Sequence, residues 1–557
     1  MKTYLKKYPF LTCLLIQMII LAFYLISGTM KYEVSDDFMM QLMVSGAYGT
    51  SANDMMFTSP LLAMLLSGLY QILPMINWYF YFQAILIMVS LSVIAYVFIK
   101  EQKHMLLQSL LWALLLFIAK DFYQLMQFTK TASILLCAAC VLAVHAMKHQ
   151  KGLLVIAILL LILGMMLRLK CIYIVGPALA VYVLFDLIEH RQSLWNAFQP
   201  YLLLGLCALL CYGGVVFSGN FLEQQNGLQA YDEFNGARVA INDVKEVPYE
   251  VIQEELTKIG ISENDYQMML SWNFGDEDFF HTETMSQVAD IMAKHQSHSL
   301  KDALYSMIQR QYWTYIIFWF VLISVGICML TFKSIPQALV TGVVGIILLF
   351  LNAYVSRNVY RVEVSTFISC ALFFFYTLKL PRQQITNKLV WLPVMGMLVV
   401  SFIGLVPVHG QDNYDVMNAS WDNDTSKYQV SFRETPLSII EELEANPQNT
   451  YVLGFQSCIQ SYYLHYDPVV DSGKSLFNNA IYLGGVDFQH PLRNEWLKQH
   501  QISNTMQALL QEDVYFVEHK TQQQILTYLQ EHYDASITME LVKEVDGYQI
   551  WKFKQPE

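Results

Sequence analysis

The chain has 557 residues, of which 55% are hydrophobic and only 14% charged, against roughly a quarter charged in an ordinary soluble domain. Its formal net charge is −12, and no basic arm or stripe interrupts that balance, which excludes a nucleic-acid partner. Apolar runs such as Leu153 to Leu167 and Tyr201 to Phe217 must satisfy every backbone amide internally in hydrocarbon, so they predict membrane-spanning helices.

The first apolar segment, residues 9–27, follows Lys2, Lys6 and Lys7 and is not followed by a small-residue cleavage site. It reads as a retained signal anchor with its N-terminus inside. Region 28–77 then faces outward. Within it, Leu61 to Leu73 is apolar but pinned between Pro60 and Pro74, a length that suits an interface-lying or re-entrant helix rather than a span. Six spans follow at 78–99, 104–119, 131–147, 152–167, 171–188 and 200–218, closing an N-terminal membrane unit over 1–218. Region 219–311 carries apolar residues at helical spacing (Val251, Leu256, Ile259; Met285, Val288, Ile291, Met292) between charged faces, so it predicts a mostly helical extracytoplasmic insertion. Four more spans, at 312–332, 336–352, 364–380 and 389–408, make up the second membrane unit, 312–408. Region 409–557 shows strand-like runs at 451–455 and 514–517, a helical pattern over 521–532 and a closing run at 548–553, the pattern of a small α/β domain.

The fold class expected is therefore a polytopic α-helical membrane protein of about eleven spans, with a helical insertion and a C-terminal α/β domain. Charge supports that arrangement. With the N-terminus inside, Lys100, Lys103, Lys148, Lys151, Arg191, Lys333, Lys379, Arg382 and Lys388 all fall at internal turns, as the positive-inside rule requires. Both 219–311 and 409–557 then lie outside. Eight of the nine cysteines sit in apolar runs and Cys458 is alone in the C-terminal region, so no disulfide framework or CxxC metal site is expected outside.

The most informative local feature is Ser35-Asp36-Asp37, just beyond the first span. Paired carboxylates there can take a proton from an attacking hydroxyl or hold a divalent cation through hard oxygen ligands. The same residues also suit an N-cap before the amphipathic run Phe38 to Ala47. A second feature is cations on the outer side, where the charge rule disfavours them: Lys130, Arg168, Lys170, Arg357 and Arg361. Each alone suits snorkelling to headgroups; together they suit capture of a lipid phosphate. Lesser candidates are Asn53 and Asp54 as extra oxygen ligands, Glu363 as a partner for Arg361, the cluster Asn235, Arg238 and Asp243, the aromatic groups at 78–81 and 312–313, and the aromatic residues of 462–466. The sequons at Asn418 and Asn423 bear only on a glycosylating source.

The order of signal anchor, acidic outer loop, amphipathic helix, interfacial helix and long polytopic bundle resembles the GT-C superfamily of membrane glycosyltransferases. That resemblance implies a sugar donor carried on a polyprenyl phosphate and a glycan or lipid acceptor at the outer face of the cytoplasmic membrane. It further implies a catalytic base or metal contact in the first outer loop. On it, Asp37 is the expected base and Asp36 the ligand of a divalent cation, Mg2+ or Mn2+, with the outer cations binding the donor phosphate. Two other readings stand beside it: a transporter or flippase of a lipid-linked saccharide, disfavoured by spans nearly devoid of mid-helix charge, and a non-catalytic cell-envelope assembly protein.

Overall fold

The computed structural model describes residues 8–102, 104–296, 299–355, 358–378, 388–406, 438–455, 466–474, 476–545 and 547–556. Arg357, Lys103, Lys379, Arg382, Cys458, both sequons and positions 462–465 lie outside them.

Among the described residues, each of the eleven segments read as spanning is helical, from Pro9–Ser27 through Trp78–Glu101, Phe128–His149 and Leu194–Gln225 to Trp391–Gly404. By length and composition, seven helices among the described residues suffice to cross a membrane, and an eighth is supplied if the bent pair Leu300–Thr314 and Ile316–Phe332 counts as one span. Leu153–Leu167 is helical but short, at 15 residues, about 22 Å at 1.5 Å per residue. The helix Pro60–Ile72 starts at its proline and ends before Pro74. It too is shorter than a span.

The lipid-facing and core-facing sides of the bundle are easily told apart. Leu202, Leu203, Leu206, Leu209, Leu210 and Phe217 are exposed on the Leu194–Gln225 helix, as expected where hydrocarbon replaces water as the solvent. The Phe128–His149 helix is the opposite case: every residue from Phe128 to Ala146 is buried, so it is the axis around which the other helices pack. Its small residues Ala132, Ala138, Ala139 and Ala143 permit that close approach. Leu300–Gln309 turns 85° from the helix that follows and exposes Leu300, Leu304, Tyr305 and Ile308, the arrangement of a helix lying along a membrane surface.

The C-terminal region is a small α/β domain. Its five-stranded sheet has the order β4-β3-β5-β7-β6, with β3 (Thr450–Leu453), β4 (Ala480–Tyr482) and β5 (Val514–Val517) parallel. The strands β6 (Thr538–Val545) and β7 (Tyr548–Lys554) add an antiparallel hairpin. A separate parallel pair, β1 (Lys31–Tyr32) with β2 (Leu125–Met126), ties the start of the first loop to the bundle.

The insertion is helical and packs directly on this domain. At the junction a Cβ on Gly275 would lie 2.1 Å from the Leu483 carbonyl, and one on Gly484 would lie 2.0 Å from that of Trp272. Only glycine permits backbones to approach so closely. Tyr231 donates to the Val486 carbonyl at 2.9 Å and Asn273 to the Thr521 hydroxyl at 2.9 Å. The domain also grips the first loop: Asn77 donates to the Pro468 carbonyl at 3.0 Å and Gln41 to that of Ser472 at 2.9 Å. Region 28–77, the insertion and the C-terminal domain thus form one layer at one end of the bundle.

Candidate active site

The acidic pair is placed by the strand pair before it. β1 pairs with β2, and the Glu33 amide continues that ladder to the Met126 carbonyl at 2.9 Å. The chain then turns into the helix Ser35–Ser45, whose N-cap is Val34 and which has no side-chain cap. Asp36 and Asp37 occupy its first turn, where carboxylates suit the positive end of the helix dipole.

Asp37 does not cap its own helix. It is fully buried, and its Oδ1 accepts three hydrogen bonds from two other helices: from Tyr79 Oη at 2.8 Å, Gln83 Nε2 at 3.0 Å and the Phe128 amide at 3.0 Å. The Gln83 amide is oriented in turn, because its Oε1 accepts from Thr131 Oγ1 at 2.9 Å. Asp37 Oδ2 has no hydrogen-bond partner among the described residues. Burial pushes the carboxyl up to about 7 and the nearby Asp36 charge adds to this, while the bonds from Gln83, Tyr79 and Phe128 oppose the rise. Desolvation wins because three donors on one oxygen do not replace the hydration of both. The result is a carboxyl that exchanges its proton near neutrality.

Asp36 is the open member of the pair, with 22% of its side chain exposed and its Oδ2 3.5 Å from Arg361 Nη2. The predicted cations separate into two kinds. Arg361 faces the acidic pair, and Arg168 lies with its guanidinium carbon 5.1 Å from both the Phe57 and the Phe128 rings, donating to the Phe57 carbonyl at 3.4 Å. Phe128 also supplies an amide to Asp37, so it links the Arg168 stack to the acidic pair. Lys170 is exposed in the adjoining turn. Lys130, by contrast, has no exposed surface and sits between Glu33 (2.7 Å) and Asp121 (3.2 Å). It is shared between two buried carboxylates, one just after β1 and one shortly before β2, and so ties the two strands together.

The lesser candidates resolve as follows. Glu363 pairs with Arg310 rather than Arg361, accepting from its Nε and Nη2 at 2.9 and 3.1 Å and from Tyr315 Oη at 2.9 Å. Asp54 pairs with His490 of the C-terminal domain at 2.6 Å, and Asn53 is exposed. Arg238 donates to Asn235 at 2.9 and 2.6 Å and stacks 4.5 Å from Trp272, a structural network inside the insertion. Tyr466 packs on Phe38 with ring centroids 5.0 Å apart and is bonded to Gln41, so it braces the acidic helix.

Sequence reasoning missed Gln83, Phe128, Glu33 and Asp121, and it read Tyr79 only as one of the aromatics at a span end, not as a donor to Asp37. The one available signal was Gln83, an amide four residues after Tyr79 inside an otherwise apolar span. Among the described residues, three groups have the density of His and carboxylate ligands that a metal needs: Glu101 with His145 and His149, Asp186 with Glu189 and His190, and Asp265 with Glu531 and His532. The acidic pair, with one carboxylate facing a guanidinium, is not among them.

No protein-family model matches the chain, and no curated protein matches it. Among solved structures, it is similar to ArnT from Cupriavidus metallidurans bound to undecaprenyl phosphate, at 11% identity over 98% of this chain and 99% of that one, with a TM-score of 0.42. It is also similar to the apo oligosaccharyltransferase of Archaeoglobus fulgidus, at 12% identity over 97% of this chain and 70% of that one, with a TM-score of 0.37.

Proposed function

We propose that this multi-pass protein is a glycosyltransferase of the cytoplasmic membrane that moves a sugar from a polyprenyl-phosphate donor to a glycan or lipid acceptor at the outer face. The observation that carries this reading is Asp37, held rigidly on one oxygen, bare on the other and ionising near neutrality. In the reaction, an acceptor hydroxyl attacks the anomeric carbon of the donor and gives its proton to Asp37 Oδ2. The bond from that carbon to the lipid phosphate breaks, and the phosphate leaves with the electron pair. Its developing charge would be met by Arg361, Arg168 and Lys170, with Arg357 the remaining candidate. A fixed carboxylate also stabilises the oxocarbenium character of such a transition state.

One observation favours a variant of this reading in which the roles are exchanged: Asp36 is the exposed member of the pair, so it would meet the acceptor while Asp37 holds the geometry. Transfer of labelled sugar from a polyprenyl-phosphate donor by purified protein in nanodiscs separates the two. Loss at Asp37→Asn with a milder effect at Asp36→Asn supports Asp37 as base, and the reverse supports Asp36. Movement of the lipid-linked sugar across vesicles without a new glycosidic bond would replace the enzyme by a flippase. The orientation, with the layer of 28–77, 219–311 and 409–557 outside, is checked by impermeant labelling of single cysteines placed at the exposed positions 263 and 520 in intact cells. Protection of either one, with labelling at a known outer control, would overturn it.

A further inference from the structure

The two helices that hold Asp37 at one end carry a second polar cluster at the other. Trp78–Glu101 supplies Tyr79 and Gln83 to the acidic pair and ends in Glu101. Phe128–His149 supplies the Phe128 amide and ends with His145 and His149. At 1.5 Å per residue, helices of this length span about 33–36 Å, so the two clusters sit at opposite membrane boundaries.

His145 and His149 are spaced i,i+4, which stacks them on one helix face, with ring centroids 5.0 Å apart. Glu101 reaches both from the neighbouring helix: its Oε1 is 2.5 Å from His145 Nδ1 and 3.0 Å from His149 Nε2. The three ligand atoms lie within 4.8 Å of one another. His145 is buried, at 6% exposure, and its ring is set edge-on against Tyr96 at 6.0 Å. Two imidazoles converging on a single carboxylate oxygen form an N2O donor set. Histidines four apart on one helix, with a third ligand from another element, are a spacing that zinc-class ions accept.

One further observation points to a bound cation. A void of about 20 Å³ adjoins Glu101, His145, Lys148 and Tyr182, enough for one water-sized ligand in a fourth coordination position. Lys148, next in sequence to His149, pairs with Asp186, with Nζ 2.9 Å from its Oδ1 and from Tyr182 Oη. A second carboxylate, Glu189, lies close by, and Glu101, Asp186 and Glu189 share the wall of a cavity of about 630 Å³. The other two His-carboxylate groups are already committed: Asp186 to Lys148 and Tyr201, and Asp265 to the capping box of its own helix.

We propose that Glu101, His145 and His149 bind one divalent transition-metal ion of the Zn2+ class at the membrane boundary opposite the acidic pair. The ion pins together the far ends of the two helices whose near ends position Asp37. The inference stands on its own geometry, independent of the sugar-transfer reading.

The test uses full-length protein in nanodiscs, with any affinity tag removed and resident metal stripped by chelation. Zn2+ is titrated in, bound metal per chain is measured by mass spectrometry, and Co2+ serves as the absorption probe of coordination. One ion per chain is expected, with a low-symmetry Co2+ spectrum. Glu101→Gln and His149→Ala should each weaken binding ~10–100-fold, and the double variant His145→Ala/His149→Ala should abolish it. Asp265→Asn should leave it unchanged. More than half of the His149 side chain is exposed, so its replacement leaves no core cavity, and thermal unfolding in the absence of metal should match wild type. Added Zn2+ should then raise the melting temperature of wild type but not of His149→Ala. No stoichiometric binding by folded wild type, or binding that survives the double variant, would overturn the proposal.

Discussion

Two buried carboxylates, one in the first loop and one in the insertion, show how differently the same side chain is used. Asp276 is saturated. Its Oδ1 accepts from the Asp278 and Phe279 amides at 3.1 and 3.2 Å and from Asn504 Nδ2 at 2.7 Å. Its Oδ2 accepts from Tyr528 and Tyr533 at 2.9 and 2.7 Å. These donors come from both the insertion and the C-terminal domain, so Asp276 is a rivet. Asp37 is equally enclosed, but its three donors crowd one oxygen and leave the other bare. A fully bonded buried acid stabilises an interface. A half-bonded one is held in place and remains able to take a proton.

Substitution should separate the two uses. The largest effect expected is at Asp37→Asn: the amide keeps the three acceptor contacts through its oxygen but takes up no proton, so sugar transfer should fall ~100-fold or more while thermal stability at neutral pH is kept or rises, because the amide has no charge to bury. Equal transfer by wild type and variant would remove Asp37 from the chemistry. Asp276→Ala should do the reverse. It removes the acceptor of two tyrosine hydroxyls, two backbone amides and the Asn504 side-chain amide, so a loss of about 2–4 kcal/mol in unfolding free energy is expected, with transfer per folded molecule nearly intact. A stable, inactive Asp276→Ala protein would break the comparison.

Charge at the open side of the pair gives a smaller effect. Arg361→Gln should raise the KM for the polyprenyl-phosphate donor ~10-fold, since a charge-assisted contact to phosphate is worth about 1.5 kcal/mol. A kcat change without a KM change would mean that Arg361 only sets Asp36. The subtlest effect is on pH. Folded Asp37 keeps its proton up to about 7, whereas the unfolded chain releases it near ~4. The stability it contributes is therefore complete below ~4 and declines as pH rises through about 7, while the basic form needed for transfer appears over the same upper range. Activity should climb through pH 7 as stability declines, and Asp37→Asn should flatten the stability limb. An unchanged limb in the variant would assign it to another group.

How far these features were legible in the sequence follows from the range of the interactions involved. The apolar helices were readable because an uninterrupted apolar run has no other way to satisfy its backbone; among the described residues all eleven segments are helical, and seven or eight helices are long and apolar enough to cross a membrane. Asp36 and Asp37 were readable as a position, the opening of an outer loop, but not as a geometry. The donors to Asp37 lie 42, 46 and 91 residues away, and nothing local in Tyr79 or Phe128 announces the contact. Lys130 shows the same limit from the other side. A cation at the outer end of a span reads as available for phosphate, yet Glu33 and Asp121 enclose it. Glu363 was assigned to its near neighbour Arg361, but the chain folds Arg310 onto it instead. Sequence proximity predicts partners well within a helix turn and poorly across a bundle.

The grip of the C-terminal domain on the first loop has a consequence for how the protein is made. Gln41 meets the carbonyl of Ser472, and Asn77 that of Pro468, across 431 and 391 residues of chain. At a synthesis rate of about 5–20 residues per second, the loop emerges roughly 20–90 s before the segment that covers it. Throughout that interval the newborn polypeptide holds its acidic helix without its final bracing, so the acidic helix of the first loop is among the last parts of the molecule to mature.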